Sequence, residues 1–139
     1  MNIATSNSSC QLCNTLGGEL ITSNKLYRIV YISDTDYPGY IRLIVNEHIK
    51  EMTDLPATDC HKIFSAILLI EQVLRSELNP DKINIASFGN MTPHVHWHII
   101  PRYINDKHFP NPIWGLVTNP DYVPPKIDVD QLKRNLRNL

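Results

Sequence analysis

The chain has 139 residues, 42% of them hydrophobic, and it carries a formal net charge of −1 with a sequence pI of about 6.6. This length and composition predict a single globular domain over residues 1–139, large enough to bury a hydrophobic core. The balanced charge, with no run of Lys and Arg, argues against a protein that binds nucleic acid through its phosphates.

Residues 1–9 form a polar tail that lacks the basic region and apolar core of an export signal. No apolar run in the sequence approaches the roughly 20 residues of a membrane span. We therefore expect a cytoplasmic protein that does not contact a membrane.

Cys10 and Cys13 form a Cys-x-x-Cys pair directly after this tail. In a chain without an export signal, the spacing favours a redox pair or half of a zinc site over a structural disulfide. A thioredoxin-like redox motif would follow a strand and open a helix, whereas this pair follows a polar segment. Structural zinc takes about four ligands, so a zinc site needs two more from elsewhere in the chain. The alternative is a pair of thiols on a short helix that bind no metal.

Two strands are predicted next, after a double-glycine turn at residues 17–18. Residues 26–32 and 40–45 are rich in β-branched and aromatic side chains, and residues 34–39 between them contain a Pro-Gly turn. The two segments therefore predict an antiparallel hairpin.

A long helix is predicted to follow the hairpin and to end near Leu78. Thr53 and Asp54 are possible N-caps, and Pro56 suits the first turn of a helix. Apolar side chains recur at helical spacing along the segment, namely Ile63, Ile67, Ile70 and Leu74, with Phe64 and Leu68 beside them. We interpret this stripe as core packing rather than as a cofactor site.

Residues 83–87 predict another strand, and a Gly-Asn turn separates it from a strand that should end at Pro101, because proline has no ladder donor. The C-terminal extension, residues 103–139, reads first as a loop that contains several prolines. Asp128 or Asp130 can then cap a final helix. That helix would place three leucines on one side, namely Leu132, Leu136 and Leu139.

The strand before Pro101 begins with three histidines at alternate positions, His94, His96 and His98. Strand side chains alternate between faces, so the three rings share one face and the apolar residues between them can enter the core. Same-face neighbours lie roughly 6 to 7 Å apart, near enough to surround one ion or small group. Burying three titratable rings side by side is unfavourable unless something binds them, which favours a metal site or a phosphate site over a structural role.

The sequence His-Val-His-Trp-His-Ile-Ile at residues 94–100 resembles the signature of the histidine triad (HIT) family, in which the remaining positions are apolar. Residues 82–90 resemble the strand and turn that lead into the triad, and the resemblance covers most of residues 10–102. It implies an α+β fold with an antiparallel sheet of about five strands, one long core helix and a C-terminal helix. It also implies a homodimer in which the sheet continues across the interface.

The reaction expected at this site is attack on phosphorus by a neutral imidazole. A histidine with an ordinary pKa of about 6.5 is largely neutral at pH 7 and can attack phosphorus. The central ring, His96, has a partner on each side, which favours it as the nucleophile. The resemblance agrees and implies a covalent nucleotidyl-His96 intermediate, with His94 orienting His96 through its backbone and His98 assisting at the phosphate or leaving group. It further implies that Asn84 and Asn90, together with His96 and His98, bind the nucleotide.

The resemblance also implies a substrate class and a structural metal. The substrate is a nucleoside monophosphate joined to a leaving group, as in a dinucleoside polyphosphate, a nucleoside phosphoramidate or an acyl-adenylate, with a purine base preferred. Zinc-containing members complete the cysteine pair with the residues that correspond to His48 and His94, although Asn46 stands where many members have proline. Such a Zn²⁺ ion would stabilise the fold and is not required for the chemistry.

Two other functions fit the same residues. A metal-dependent hydrolase would use the three triad rings as direct ligands and keep an open coordination position, with Asp106 and His108 as the available further ligands. A non-catalytic module would bind a nucleotide without turnover. Loss of activity on chelation would indicate the hydrolase, and absence of a covalent adduct and of turnover would indicate the module.

Overall fold

A five-stranded antiparallel sheet with a long helix and a C-terminal helix forms the body of the protein, as predicted. The structure, a computed structural model, describes residues 7–33 and 35–139. Residues 1–6 of the predicted tail and Asp34 of the predicted turn lie outside the described residues. The elements are α1 (Gln11–Asn14), β1 (Glu19–Ser23), β2 (Tyr27–Tyr31), β3 (Ile41–Val45), α2 (Ala57–Leu78), β4 (Lys82–Ala86), β5 (His96–Arg102) and α3 (Val129–Arg137).

The strands lie in the order β1-β2-β3-β5-β4. β2 and β3 form the predicted hairpin, with Tyr31 paired to Ile41 beside the turn. Gly39 in this turn has a φ of +92°, and a Cβ atom added there would lie 2.5 Å from a methyl group of Leu78. The turn therefore requires glycine, which alone adopts this conformation without strain and without a side chain. The sequence pattern does not predict β1, a short edge strand whose side chains are mostly exposed.

One face of the sheet packs against α2 and α3 and buries the hydrophobic core. The side chains that α2 contributes recur every three or four residues: Ile63, Ala66, Ile67, Ile70 and Leu74. Phe64 and Leu68, predicted beside these residues, are exposed. Each follows a core residue by one position, which is about 100° around the helix, so the two form a second apolar stripe beside the core.

The start of α2 differs from the prediction, since the helix begins after Pro56 and neither Thr53 nor Asp54 caps it. These two residues lie in a short 3-10 helix, Met52–Asp54, where the Asp54 carboxylate accepts a hydrogen bond of 3.1 Å from the backbone N–H of Glu51. α2 has 22 residues. Among the described residues, no helix has both the length and the apolar character needed to cross a bilayer.

The end of β5 also differs from the prediction, because the strand continues through Pro101 to Arg102. The pairing of β3 with β5 ends where Ile41 lies opposite Ile99, whereas β4 pairs with β5 as far as Arg102. Pro101 therefore lies beyond the part of β5 that has a strand on both sides, where a missing ladder donor is tolerated.

The C-terminal helix α3 confirms one of the two predicted caps. The Asp128 carboxylate accepts a hydrogen bond of 3.0 Å from the backbone N–H of Gln131. Leu132 and Leu136 are buried against the core as predicted. Leu139, predicted on the same side of the helix as these two, lies beyond its end and is 47% exposed.

The face of the sheet opposite to α2 is covered at its two ends. Near one end, Cys10 and Leu12 of the N-terminal segment pack on Val30 and Ile44. Near the other end, Ile113 of the C-terminal extension packs against a second cluster. That cluster consists of Tyr37, Tyr40 and Ile100, with Ile32 beside it. The rings of the triad lie between the two covers.

Candidate active site and metal centre

His96, the first residue of β5, is held by the backbone in front of it. Its Nδ1 atom lies 2.6 Å from the carbonyl oxygen of His94. A carbonyl oxygen only accepts hydrogen bonds, so Nδ1 carries the proton and Nε2 keeps its lone pair. Burial lowers the pKa of His96 against the opposing effect of this hydrogen bond, and the charge of Arg42 lowers it further. The ring is therefore a neutral imidazole whose Nε2 atom can act as a nucleophile.

His98 lies two residues further along the same face. Its Nδ1 atom lies 2.6 Å from the Tyr40 hydroxyl, which can donate to that nitrogen or accept from it. When the hydroxyl donates, Nε2 of His98 carries the proton and can donate to a ligand. Burial, followed by the charge of Arg42, lowers the pKa of His98 to about 3, so the ring is neutral at pH 7. Its ring centroid lies 5.0 Å from that of His96.

His96 opens into a cleft of about 450 Å³ between the N-terminal segment and the sheet, which we call the triad cleft. It is lined by Gln11, Leu12, Thr15, Leu16, Gly17, Gly18, Arg42, Thr92 and His96. Arg42 is the one side chain with a full charge among the described residues of this lining. On the other side of His98, the half-exposed rings of Phe88 and Trp114 contact each other with centroids 4.9 Å apart, and Trp114 lies 4.9 Å from His98. The triad is thus flanked by a cation on one side and by aromatic rings on the other.

A second group of side chains meets beneath the N-terminal segment. Ligand atoms of Cys10, Cys13, His48 and His94 all lie within 4.8 Å of one another. Nδ1 of His94 is 3.5 Å from each of the two sulfur atoms, and Nδ1 of His48 is 3.3 Å from Sγ of Cys13. Sulfur and nitrogen ligands of a tetrahedral zinc ion are about 3.6 Å apart, given bonds of about 2.3 and 2.0–2.1 Å. Both the spacing and the two-sulfur, two-nitrogen donor set fit a structural zinc ion.

The tautomer of His94 also fits a metal site. Its Nε2 atom lies 2.5 Å from the carbonyl oxygen of Val45, so Nε2 carries the proton and Nδ1 offers a lone pair toward the cysteines. Burial lowers the pKa of His94, which favours the neutral form that a metal requires. The side chain of His94 therefore lies with the two cysteines and His48, whereas its backbone carbonyl accepts the hydrogen bond from His96.

Comparison with models of known protein families shows which family the chain belongs to. The family model of the HIT domain matches residues 16–105. The chain belongs to the HIT domain family. The match covers β1 to β5 and therefore includes the triad and the strands on both sides of it.

Similar proteins of this family agree with the fold. The bis(5'-adenosyl)-triphosphatase of Saccharomyces cerevisiae is 29% identical to this HIT protein over 72 residues, which is 48% of this chain and 35% of the yeast protein. The chain thus spans about a third of the length of the curated relatives it matches. The histidine triad protein blr8122 of Bradyrhizobium japonicum superimposes with a TM-score of 0.75 at 28% identity over 98% of each chain. A Zn-bound histidine triad family protein of Mycobacterium smegmatis has the same fold, with a TM-score of 0.61 at 19% identity over 94% of this chain and 91% of that chain.

The two asparagines predicted to bind nucleotide are not among the residues that line the triad cleft. The Asn84 side-chain oxygen accepts a hydrogen bond of 2.7 Å from Arg102, and Asn90 is exposed in the turn before the triad. Asn84 shares the sheet face of the triad, two residues along β4 from Ala86, which pairs with His98. The side-chain NH₂ group of Asn84 can therefore still donate to a ligand. Nucleotide binding by Asn84 and Asn90 stays a prediction.

Two side chains that lie beside the triad, Tyr40 just before β3 and Arg42 within it, could not be found from the sequence alone. Arg42 pairs with His98 across the sheet, and Tyr40 hydrogen-bonds to the same histidine. The only local signal is a lone arginine within an otherwise apolar strand. This arginine can be linked to the triad only when β3 and β5 are known to be neighbours.

Arg28 is another residue that sequence reasoning missed. This buried side chain on β2 donates hydrogen bonds of 2.7–3.1 Å to the carbonyl oxygens of Leu12, Thr15 and Leu16. These carbonyls lie at the end of α1 and just beyond it, where a helix leaves its C=O groups without partners. Arg28 therefore fixes the segment that carries the cysteines and forms one wall of the triad cleft.

Proposed function

We propose that this HIT protein cleaves a nucleoside monophosphate from its leaving group through a covalent nucleotidyl-His96 intermediate. The observation that carries the proposal is the hydrogen bond between Nδ1 of His96 and the carbonyl oxygen of His94, which leaves the lone pair of Nε2 free on a ring that lines the triad cleft. A purine nucleotide is the expected substrate, which the name and partial similarity of the yeast triphosphatase support.

The proposed reaction has two steps. Nε2 of His96 attacks the phosphorus bonded to the nucleoside, the new N–P bond forms, and the bond to the leaving group breaks with its electron pair on the departing oxygen or nitrogen. The N–H of His98 donates to a non-bridging phosphate oxygen and stabilises the charge that develops there. The oxygen of a water molecule then attacks the same phosphorus, and the N–P bond breaks with its electron pair returning to Nε2. This step releases the nucleoside monophosphate and a proton and restores neutral His96. Asn84 and Asn90 would add neutral donors to the phosphate or ribose.

A labelled substrate tests this function directly. We would mix the protein with diadenosine triphosphate labelled at the phosphorus next to adenosine, denature it at alkaline pH, where a phosphorus–nitrogen adduct survives, and look for labelled protein. We expect an adduct in the wild-type protein and none in His96→Ala, whereas His61→Ala, an exposed histidine of α2, should behave as wild type. Full hydrolysis by His96→Ala would refute the covalent mechanism. Loss of wild-type activity on chelation, with circular dichroism showing that the fold is retained, would instead indicate the metal-dependent hydrolase, and binding without turnover the non-catalytic module.

A structural zinc ion at Cys10, Cys13, His48 and His94 is the second part of the proposal. It is supported by the spacing and tautomers of the four ligands. Bound there, zinc would tie the N-terminal segment to the sheet and supply folding free energy rather than chemistry at the nucleotide.

A homodimer is the third part. Strand β4 is an edge of the sheet, so its outer backbone groups are available to a second copy. Exposed apolar side chains lie on β4 and on α2, with Ile85 at 38%, Phe64 at 44% and Leu68 at 57%, and the Phe64 ring contacts Trp97 of β5, the strand next to β4. Pairing β4 with β4 of a second chain would continue the sheet and cover this apolar surface.

A further inference from the structure

We infer that Arg42 selects substrates whose leaving group is a phosphate chain, so that the triad cleft takes dinucleoside polyphosphates in preference to nucleoside phosphoramidates. This specificity rests on the function proposed above and names the substrate class of the same site. The position, the contacts and the charge of Arg42 each support it.

The position of Arg42 directs its side chain toward the reacting atoms. Arg42 lies directly opposite His98 in the β3–β5 pairing, so both side chains project from the same face of the sheet. It also lines the triad cleft together with His96. A phosphate chain attached to the phosphorus at His96 can therefore extend along the cleft past the guanidinium.

The contacts of Arg42 leave hydrogen-bonding capacity for such a chain. Nη1 donates to the carbonyl oxygen of Gly17 at 3.2 Å, and the guanidinium carbon lies 5.8 Å from the centroid of the Tyr40 ring. Its Nε atom is buried and has no hydrogen-bond partner among the described residues. A guanidinium offers five N–H donors, so the contact with Gly17 leaves others on Nη1 and Nη2 for a bound anion.

The charge of Arg42 is not neutralised by a carboxylate. The ion pairs of the described residues involve Arg102, Lys107 and Lys133, and none involves Arg42. An arginine in a cleft with no acidic partner is suited to a ligand that brings its own negative charge.

The chemistry of the leaving group explains why the positive charge of Arg42 would favour one class of substrate over the other. A nucleoside polyphosphate leaves as an anion, and a fixed cation beside the departing oxygens stabilises the transition state. The amine of a phosphoramidate instead takes a proton from solvent and leaves without negative charge, so a guanidinium beside it adds little to its departure. Arg42 should therefore accelerate the first reaction far more than the second.

Kinetics of two substrates with the same nucleotide test the inference. In Arg42→Gln we expect kcat/KM for diadenosine tetraphosphate to fall about 10- to 100-fold, the loss typical of a charged hydrogen bond, while that for adenosine 5'-phosphoramidate changes less than about 3-fold. Arg42→Lys should recover part of the loss, because it keeps the charge without the planar donor fork. Arg75→Gln, an exposed arginine of α2, is the matched control and should leave both rates unchanged.

The outcomes separate this inference from the proposed function. Equal losses for both substrates in Arg42→Gln, or no loss for either, would overturn the role of Arg42 while leaving the His96 mechanism intact. If the wild-type protein turns over neither substrate, the proposed function fails, and equilibrium binding of ADP and AMP still tests Arg42. A drop of about tenfold in ADP affinity with unchanged AMP affinity would support a phosphate-chain site, and equal affinities in variant and wild type would refute it.

Discussion

His96 and His98 are the same residue type on the same strand face, yet they have different hydrogen-bond partners. The backbone carbonyl of His94 fixes the proton of His96 on Nδ1, whereas Nδ1 of His98 meets the Tyr40 hydroxyl, which can donate or accept. With that hydroxyl as the donor, one ring presents a lone pair and its neighbour presents an N–H. This division of roles depends on the hydrogen-bond partners rather than on the histidines themselves.

Tyr40→Phe should reduce activity without unfolding the protein. It removes the hydroxyl that lies 2.6 Å from Nδ1 of His98 and so releases the tautomer of that ring. A hydrogen bond of this kind contributes about 0.5–1.5 kcal/mol, so we expect kcat/KM to fall up to about tenfold. Tyr103→Phe, which loses a hydroxyl bond of 3.2 Å to the Leu78 carbonyl, is the control. Equal kinetics for wild type and Tyr40→Phe would contradict the role of this hydroxyl.

His98 should make stability depend on pH. Its pKa of about 3 in the folded protein is lower than its ordinary value, so the unfolded chain binds more protons between pH 6.5 and 3. The free energy of unfolding should therefore fall as the pH drops through this interval. In metal-free protein, the difference in urea midpoint between pH 7 and pH 5 should be smaller in His98→Gln than in wild type. His61→Gln should keep the wild-type difference, and an unchanged difference in His98→Gln would contradict the shift.

At the level of elements, local patterns predict the hairpin, the long helix, the C-terminal helix and the triad strand, because each has a periodicity or a turn that acts over few residues. The start of α2 and the end of β5 differ from prediction, because cap choice and tolerance of Pro101 depend on neighbours distant in sequence. The same limit applies to the site. The triad motif identifies the rings, but the placement of Tyr40 and Arg42 beside them depends on the pairing of β3 with β5, which no local pattern specifies.

The C-terminal extension starts with a buried ion pair on which its position depends. The Asp106 carboxylate lies 2.7 Å from Arg102 and also accepts from the backbone N–H groups of Tyr103, His108 and Phe109. Burial acts to raise the pKa of Asp106, but these hydrogen bonds outweigh it and lower the pKa. The carboxylate therefore organises the loop that leads to Trp114.

Asp106→Asn should destabilise the fold strongly. Removing one charge leaves Arg102 buried without its counterion, which typically costs about 3–5 kcal/mol. Urea unfolding at pH 7 measures the loss. Asp36→Asn is the control, since its ion pair with Lys107 is partly exposed and should contribute less than about 1 kcal/mol. Similar losses for the two variants would show that Asp106 is not the anchor of this loop.

For the molecule as a whole, the N-terminal segment is a cover that depends on Arg28 and on the proposed zinc ion. Metal-free protein should bind about one Zn²⁺ per chain and gain more than about 5 °C in melting temperature when zinc is in large excess over its Kd. Cys13→Ser should abolish both effects, whereas Cys60→Ser, a cysteine of α2 outside the cluster, should keep them. Zinc binding by Cys13→Ser equal to wild type would refute this ligand set.

The proposed dimer can be tested on the exposed stripe of α2. Leu68→Glu places a charge on the surface beside β4 and should convert a dimer to a monomer in analytical ultracentrifugation. Leu116→Glu is the matched control, because this leucine is more exposed and lies in the C-terminal extension. A wild-type protein that sediments as a monomer at micromolar concentration would exclude the dimer.

His94 links the two centres through different parts of one residue. Its ring nitrogen faces the sulfurs, and its carbonyl oxygen, two positions before the nucleophile, holds the proton of His96. A single-residue insertion or deletion between them would reverse the side of the strand on which every later ring stands. Two requirements therefore set the spacing of these histidines: the place of the His94 ring in the proposed zinc site and the alternation of side chains along the strand. We expect insertions and deletions to be tolerated only outside residues 94–98.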